Sequence, residues 1–260
     1  MRTYPCFPGL ILILILAAKT SFAMVFPDMI TVEAGVMPSG SFAAGQNVTE
    51  FQIGKWEVTW GKWKTVRDWA AGQGYDIATV GSGSGDEHPV HSVNWYDALK
   101  WLNAASQLDG LDPVYKVGGQ VYKTGEVVPT IDATADGYRL PTEVEWEWAA
   151  RGGLNSKGYA YSGSNNIGEV AWYADNSSGA EVDISDGNLR GTWPTGFKKG
   201  NELDVFDMTG NVSEWCWDAN GSQRRTRGGN WWASAGDCSI MVRPSSDPAF
   251  RHRSTGFRPA

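Results

Sequence analysis

The residues best suited to chemistry are two cysteines in the C-terminal part of the chain, Cys216 and Cys238; a third, Cys6, lies near the start. A thiolate is a nucleophile and a soft metal ligand, whereas two exported cysteines can form a disulfide. A bond between Cys216 and Cys238 would close a loop of about 22 residues, which the chain-entropy model values at roughly 3 kcal/mol. Two alternatives therefore stay open, a disulfide or two separately buried thiols.

The histidines and the clustered acids indicate structure more than catalysis. His88 and His91 have loop spacing without the cysteines or carboxylates that accompany a zinc site, so we interpret them as structural. Glu143 and Glu145 resemble an acid–base pair, but acids in a first helical turn are explained by the positive end of the helix. With three histidines and no evident triad, we do not expect non-haem iron.

Residues 227–258 form the most unusual stretch of the chain. It opens on Gly228 and Gly229 between aromatic residues and closes on Gly256-Phe257-Arg258, two residues from the end. The apolar residues that we expect to anchor it are Trp231, Trp232, Ile240, Met241, Val242, Phe250 and Phe257. Because termini fray unless they are tied down, we predict an irregular segment locked to the core at both ends, with its middle presented to solvent as a site.

The first 23 residues predict an export signal. Arg2 precedes an apolar run at residues 10–18, and Ser21-Phe22-Ala23 places small residues where a signal peptidase cleaves. The run is too short to span a bilayer, and no later segment is apolar enough to do so. We therefore expect a secreted or periplasmic protein without a membrane span; an N-terminal membrane anchor is the alternative.

Charge and composition limit the partners and the fold. Removing residues 1–23 removes two of the 22 basic residues and none of the 29 acidic ones, which leaves a net charge near −9. This balance argues against nucleic acid or an anionic membrane as partner. The 14 tryptophans and 32 glycines predict a compact, loop-rich domain.

The recognisable elements are few. Residues 24–50 form an entry segment, and residues 51–58 read as a strand. Helices follow the N-caps Thr59, Asn94 and Thr142. Gly118-Gly119 predicts a hairpin between strands at residues 114–117 and 121–123, and residues 205–217 predict a turn that runs into a strand.

Four motifs occur in one order: His88-Pro89-Val90 leading to Trp95, RLPTEVEWEWAARGG at residues 139–153, DMTGNVSEW at 207–215, and RGGNW at 227–231 with GFR at 256–258. Together they resemble the formylglycine-generating enzyme family, also called sulfatase-modifying factors. The resemblance covers nearly all of residues 51–258 and predicts a single domain over residues 51–260. It implies an α+β fold, a loop-rich variant of the C-type lectin fold with little regular secondary structure.

The resemblance also implies a chemistry from which this chain departs. The family's enzymes oxidise a sulfatase cysteine to formylglycine, with oxygen and a copper ion held by two cysteines that follow the Gly-Gly pair. The matching positions here are Ala233 and Cys238, and Asn230 and Ser213 also differ from the family pattern. One thiolate opposite an alanine cannot form a two-thiolate copper site. We therefore expect neither copper nor formylglycine generation; Cys238 would be catalytic only if the chain is another oxidoreductase.

The resemblance implies a structural calcium ion in the DMTGNVSEW turn. The side-chain ligands would be Asp207 and Glu214, and the backbone carbonyl ligands those of Gly210 and Val212. All four are oxygen donors, as calcium requires. The alternative is a turn with an N-terminal Asp and a hydrogen-bonded Glu.

Three functions remain open: a binding domain, a metal-dependent oxidoreductase acting on a thiol or cysteine peptide, and a passive exported module. Retroelement-diversified variable proteins resemble this family and place their ligand contacts in the segment that matches residues 230–255 here. We favour a binding domain, with an unknown protein, peptide or glycan as ligand. The predicted contact residues are Trp232, Ser234, Asp237, Ser239, Ser245, Asp247, Phe250, His252 and Arg253.

Overall fold

A computed structural model describes residues 24–178 and 189–260; the predicted export signal, residues 1–23, lies outside the described residues. The helices are α1 (Trp60–Ala71), α2 (Trp95–Asp109), α3 (Glu143–Ala150) and α4 (Ile167–Val170). The strands are β1 (Met29–Val32), β2 (Gly35–Val36), β3 (Asn47–Val48), β4 (Phe51–Gly54), β5 (Tyr115–Val117), β6 (Gln120–Val121), β7 (Thr130–Ile131), β8 (Ser213–Asn220), β9 (Gln223–Arg227), β10 (Ser245–Ser246) and β11 (Thr255–Gly256). The predicted α+β, loop-rich class is confirmed.

The helices begin where their capping residues predict. The side chains of Thr59, Asn94 and Thr142 each accept a backbone N–H of the first turn, and α2 and α3 carry complete capping boxes. The predicted hairpin forms between β5 and β6, with Gly118 and Gly119 at φ values of 58° and 79°.

The predicted strand at residues 51–58 ends early, at Gly54. Beyond that residue the backbone bonds to distant segments: the Lys55 carbonyl accepts the Phe206 N–H at 3.0 Å, and the Val58 N–H donates to the Phe257 carbonyl at 2.9 Å. The prediction for residues 55–58 was wrong because these partners replace a neighbouring strand.

The largest sheet positions the C-terminal segment. Its order is β10-β9-β8-β11, with β9 antiparallel and β11 parallel to β8. Glu214 pairs with Arg227 on one side of β8 and with Gly256 on the other. The segment between β9 and β11 therefore leaves and returns on the two sides of one strand.

Two clusters of buried side chains form the core. In the first, the rings of Trp63 and Trp101 stack at 5.6 Å, and Phe257 packs edge-on against both. In the second, Cys216 and Ile240 pack with Trp146 and strand residues from β1 and β4. Phe257 and Ile240 thus tie the C-terminal segment to both clusters.

Candidate functional site

Buried ion pairs lock both ends of the C-terminal segment, residues 230–255. Before it, the Arg227 guanidinium donates to Glu143 and Glu147, each at 2.9 Å, and to the Ile240 carbonyl. After it, Arg258 donates to the two carboxylate oxygens of Glu214 at 2.7 and 2.6 Å. All of these side chains are buried, so the predicted anchoring of both ends is confirmed.

The acids in the first turn of α3 are bound by other side chains. Glu143 accepts two bonds from Arg243 at 2.7 Å in addition to that from Arg227, and Glu145 accepts from Arg139 and from the cap residue Thr142. The guanidinium groups hold the pKa of both carboxyls below its usual value against the effect of burial. Glu143 and Glu145 therefore act as structural groups that hold arginines and cap the helix.

The middle of the segment presents side chains to solvent. None of the nine predicted contact residues is buried. Trp232 is 40% exposed and Phe250 is 54% exposed, which is unusual for large aromatic side chains. Of the seven expected apolar anchors, Trp231, Ile240 and Phe257 are buried and Val242 is half-buried, whereas Trp232, Met241 and Phe250 are exposed and do not anchor the segment.

Main-chain hydrogen bonds, not the outward side chains, fix residues 247–252 to α2 and to the residues just before it. The Pro248 carbonyl accepts the Trp95 N–H at 3.0 Å, and the His252 carbonyl accepts the Ser92 N–H at 3.0 Å. One side chain adds to this attachment, since Arg251 donates to both oxygens of Asp97 at 2.7 and 2.9 Å. Phe250 and its neighbours can therefore face outward while the backbone stays ordered.

A wall that the sequence did not predict borders Trp232; it is formed by residues 172–177 and residues 190–193. The Ala174 N–H donates to the Ala233 carbonyl at 3.0 Å, the Ser177 hydroxyl donates to the Trp231 carbonyl at 2.8 Å, and the Arg190 guanidinium lies 5.2 Å from the Trp232 ring centroid. Next to them the Trp172 and Trp193 rings stack at 4.1 Å. One sign of this wall was visible in the sequence, the occurrence of Trp172 and Trp193 in an otherwise polar, loop-like stretch.

Both cysteines are free and buried. Cys216 lies in the second core cluster, whereas the Cys238 thiol lies 3.9 Å from the Asn230 carbonyl, under Gly229. The structure has the two thiols separate, as in the second of the two alternatives. Burial raises the pKa of Cys238 to about 12 and that of Cys216 well above its usual value, so both are thiols at neutral pH.

The position that matches the family's other copper ligand carries no ligand here, because the side chain of Ala233 is a methyl group. Within residues 24–178 and 189–260, no three His, Cys, Asp or Glu side chains are grouped so as to hold a metal ion. The residues present do not fit a copper ion held by two thiolates.

The predicted calcium turn contains one buried oxygen without a partner. Asp207 Oδ2 accepts the Gly196 N–H at 2.7 Å, whereas its Oδ1 has no hydrogen bond. Both carboxylate oxygens of Glu214, by contrast, have hydrogen-bond partners. Each accepts a bond from Arg258, and Oε2 also accepts the Trp146 indole N–H at 2.7 Å. The donor set agrees with calcium in chemical type.

Excess negative charge surrounds that turn. Glu57 lies beside it and accepts the Val212 N–H at 3.0 Å and the Asn211 amide at 2.7 Å. Burial, and then the neighbouring carboxylates, raise the pKa of Glu57 well above its usual value, and burial raises the pKa of Asp207 to about 6. Glu57, Asp207 and Glu214 act on one another and on the Arg258 guanidinium through space, without being grouped as three ligands of one ion. A cation held in part by backbone carbonyls would relieve the repulsion between these carboxyl groups.

The fold brings the histidines together, which their sequence positions did not predict. Burial lowers the pKa of His91 to about 4, with further lowering from the charges of His88, Arg253 and His252. Each Nδ1 lies within hydrogen-bond distance of a hydroxyl: Thr192 for His88, Ser92 for His91 and Ser254 for His252. These bonds agree with the structural role that we predicted for His88 and His91.

The sequence model of a protein family, the sulfatase-modifying factor enzyme 1-like domain, matches residues 17–260. The chain belongs to this family. Chaperone protein LppX of Paenibacillus barcinonensis is 36% identical over 241 residues, 83% of this chain and 82% of LppX. The match to the family model confirms the resemblance that the four motifs indicated.

Solved structures share the fold. The crystal structure of CarF superposes with a TM-score of 0.76 at 29% identity, covering 90% of this chain and 98% of CarF. Treponema denticola variable protein 1 gives a TM-score of 0.69 at 29% identity, with 89% and 93% covered. Within the described residues, no helix combines the length and apolar character needed to cross a bilayer.

Proposed function

We propose that this sulfatase-modifying factor domain is exported and binds a protein partner through the outward side chains of residues 230–255, without oxidising cysteine to formylglycine. The observation that carries the proposal is the exposure of Trp232 and Phe250 on a segment whose two ends are locked by buried Arg227 and Arg258. Exposed aromatic side chains on an ordered backbone lose little entropy on binding.

Two relatives support a binding role. LppX is named a chaperone, a class of protein that acts on other proteins, and the Treponema protein is named a variable protein. If the outward side chains of this chain are diversified, a near-copy of the coding segment should lie beside a reverse transcriptase gene. We propose a protein rather than a glycan as ligand because of the likeness to LppX.

The binding role is tested by site-specific photo-crosslinking in the cells that make the protein. A benzoylphenylalanine at position 232 or 250 should give one and the same adduct, and its partner should be a protein. Leu154 is 60% exposed but lies outside the segment, so a benzoylphenylalanine there is the matched control. Adducts that differ between 232 and 250, or that also form from 154, would contradict the proposal.

The proposed lack of oxidase activity rests on Cys238, a buried thiol with a raised pKa, and on Ala233, which stands where the family has its other copper ligand. Copper titration of the folded protein, with thiols counted before and after denaturation, tests it. We expect two thiols after denaturation, slow modification before it, and no tight thiolate-bound copper. Tight binding of one copper ion that is lost in Cys238→Ser would favour the alternative, a metal-dependent oxidoreductase acting on a thiol or cysteine peptide.

We also propose that calcium binds at Asp207, Gly210, Val212 and Glu214 and stabilises the fold. The unpartnered Asp207 Oδ1 and the excess of buried carboxyl groups support it. Calcium should raise the melting temperature of the wild-type protein but not that of Asp207→Asn, and magnesium should act less because it requires stricter octahedral geometry. Equal melting temperatures with calcium and with a chelator would contradict this proposal.

A further inference from the structure

A cleft of about 1150 Å³ runs along α1 and contains no residue of the C-terminal segment. Its walls are the outer side of α1, residues 54–57, residues 195–197 and residues 24–29. We call it the α1 cleft. Small-molecule pockets span roughly 300–1,000 Å³, so the cleft is large enough to hold a short stretch of polypeptide.

The α1 cleft offers apolar surface on its floor and on its rim. Trp69 and Leu108, which are partly buried, line the floor. Phe197, at the rim, is 68% exposed, and Trp56 lies near it. Large apolar side chains beside a concave surface are typical of an interaction site, and they would bury apolar side chains of a bound segment.

Of the two lysines that line the cleft, Lys62 is the one without an ion pair to a described residue. Its ammonium lies 4.9 Å from the Phe26 ring centroid, without an ion pair or side-chain hydrogen bond. Lys55, by contrast, pairs with Asp204 at 2.6 Å. Burial lowers the pKa of Lys62. A cation in the first turn of a helix is also disfavoured by the helix dipole, so an incoming carboxylate would gain a charge-assisted hydrogen bond there.

The acids near Lys62 limit what kind of anion can bind. Asp28 and Glu87 are exposed at the rim and act on Lys62 through space. Asp109 is already bound, since it accepts the Val25 N–H and the Tyr138 hydroxyl. Exposed carboxylates at the rim repel a polyanion, but they leave room for a single carboxylate carried among apolar groups.

We propose that the α1 cleft binds an extended peptide segment in which one carboxylate stands among apolar side chains, and that Lys62 receives this carboxylate. The carboxylate belongs either to an acidic side chain or to the peptide's C-terminus. The α1 cleft shares no residue with the segment 230–255. A test of this proposal is therefore independent of a test of the function proposed above.

Calorimetry with synthetic peptides on the full chain tests the proposal. The probes are acetyl-Ser-Phe-Leu-Glu-Leu-Ser-amide, the same peptide with Gln in place of Glu, and the Gln peptide with a free C-terminal carboxylate. At least one carboxylate peptide should bind about tenfold or more tightly than the neutral peptide, and which of the two does so identifies the source. Lys62→Met should abolish the preference, and Lys62→Arg should retain it.

Two control variants test whether the preference belongs to Lys62 and to this cleft. Arg67→Met removes a cation from the same helix that is paired with Asp68 at 2.9 Å, outside the cleft, and Trp232→Ala alters the C-terminal segment; both should keep the preference. Equal affinity for all three peptides, or a preference that survives in folded Lys62→Met, would overturn the proposal. The exported chain that begins at Met24, in which residues 1–23 cannot occupy the cleft, should show the same preference, and loss of the preference in that chain would also overturn the proposal.

Discussion

The substitution Gly229→Ala should destabilise the protein by far more than the addition of one methyl group usually does. Gly229 has a φ of +72°, and a Cβ there would lie 2.5 Å from Cys238 Sγ, 2.8 Å from Cys238 Cα and 3.0 Å from the Asp237 carbonyl oxygen. The left-handed backbone costs an L-residue about 1–2 kcal/mol. Overpacking adds about 1–3 kcal/mol, because two of the three atoms met belong to the backbone and cannot rotate away.

Gly221→Ala is the matched control. Gly221 has a similar φ of +63° in the β8–β9 turn, and a Cβ there would have no neighbour within 4 Å. It should therefore lose only the backbone contribution, about 1–2 kcal/mol, whereas Gly229→Ala should lose about 2–5 kcal/mol. Urea unfolding of the two variants and wild type, with equal slopes, measures this difference.

Cys238→Ala in the Gly229→Ala background separates the two contributions. Removing Sγ removes the closest contact but leaves the Cα and the Asp237 carbonyl in place. The double variant should recover part of the overpacking cost, which a double-mutant cycle shows as coupling. If Gly229→Ala and Gly221→Ala lose the same stability, the close approach of the Gly-Gly turn to Cys238 is refuted.

Three further predictions concern the anchors, the histidines and the start of the exported chain. Arg258→Met leaves buried Glu214 unpaired and should cost about 3–5 kcal/mol, whereas Lys55→Met, which breaks a partly exposed pair with Asp204, should cost less than about 1 kcal/mol in the same unfolding assay. Because the folded pKa of His91 is about 4 and lies below that of the unfolded chain, its contribution to stability is present above pH 6.5 and is lost as the pH falls to 4, by up to about 3 kcal/mol. His91→Gln should lack this loss in unfolding measured at several pH values; an unchanged slope between pH 6.5 and 4 would contradict it. N-terminal sequencing of the exported protein should begin at Met24, and a start at Met1 would contradict cleavage.

Local signals in the sequence predicted the elements that depend on local contacts. Thr59, Asn94 and Thr142 each accept a hydrogen bond three residues ahead, so the helix starts were readable from short stretches. Gly118-Gly119 fixed its hairpin for the same reason. Strand residues 55–58 were mispredicted because their backbone partners, Phe206 and Phe257, lie some 150 to 200 residues away.

The site was predictable in its outline but not in its surroundings. The outward positions of the C-terminal segment followed from its polar composition between apolar ends. The wall at Ser177 and Arg190 and the meeting of His91 with His252 arise from contacts across the fold, for which a single sequence gives no spacing rule. Nor did periodicity distinguish Trp231, which is buried, from Trp232, which is exposed.

The sheet explains why binding and folding can be separated in this chain. The C-terminal segment begins after β9 and ends at β11, and these two strands flank β8, so its ends lie about two strand spacings, roughly 10 Å, apart. Arg227 and Arg258 hold those ends with Glu143, Glu147 and Glu214, none of which belongs to the segment. Closure of the loop therefore depends little on the outward side chains. Replacing Trp232 or Phe250 should change binding at nearly constant stability, whereas replacing an anchoring arginine should unfold the face that presents them.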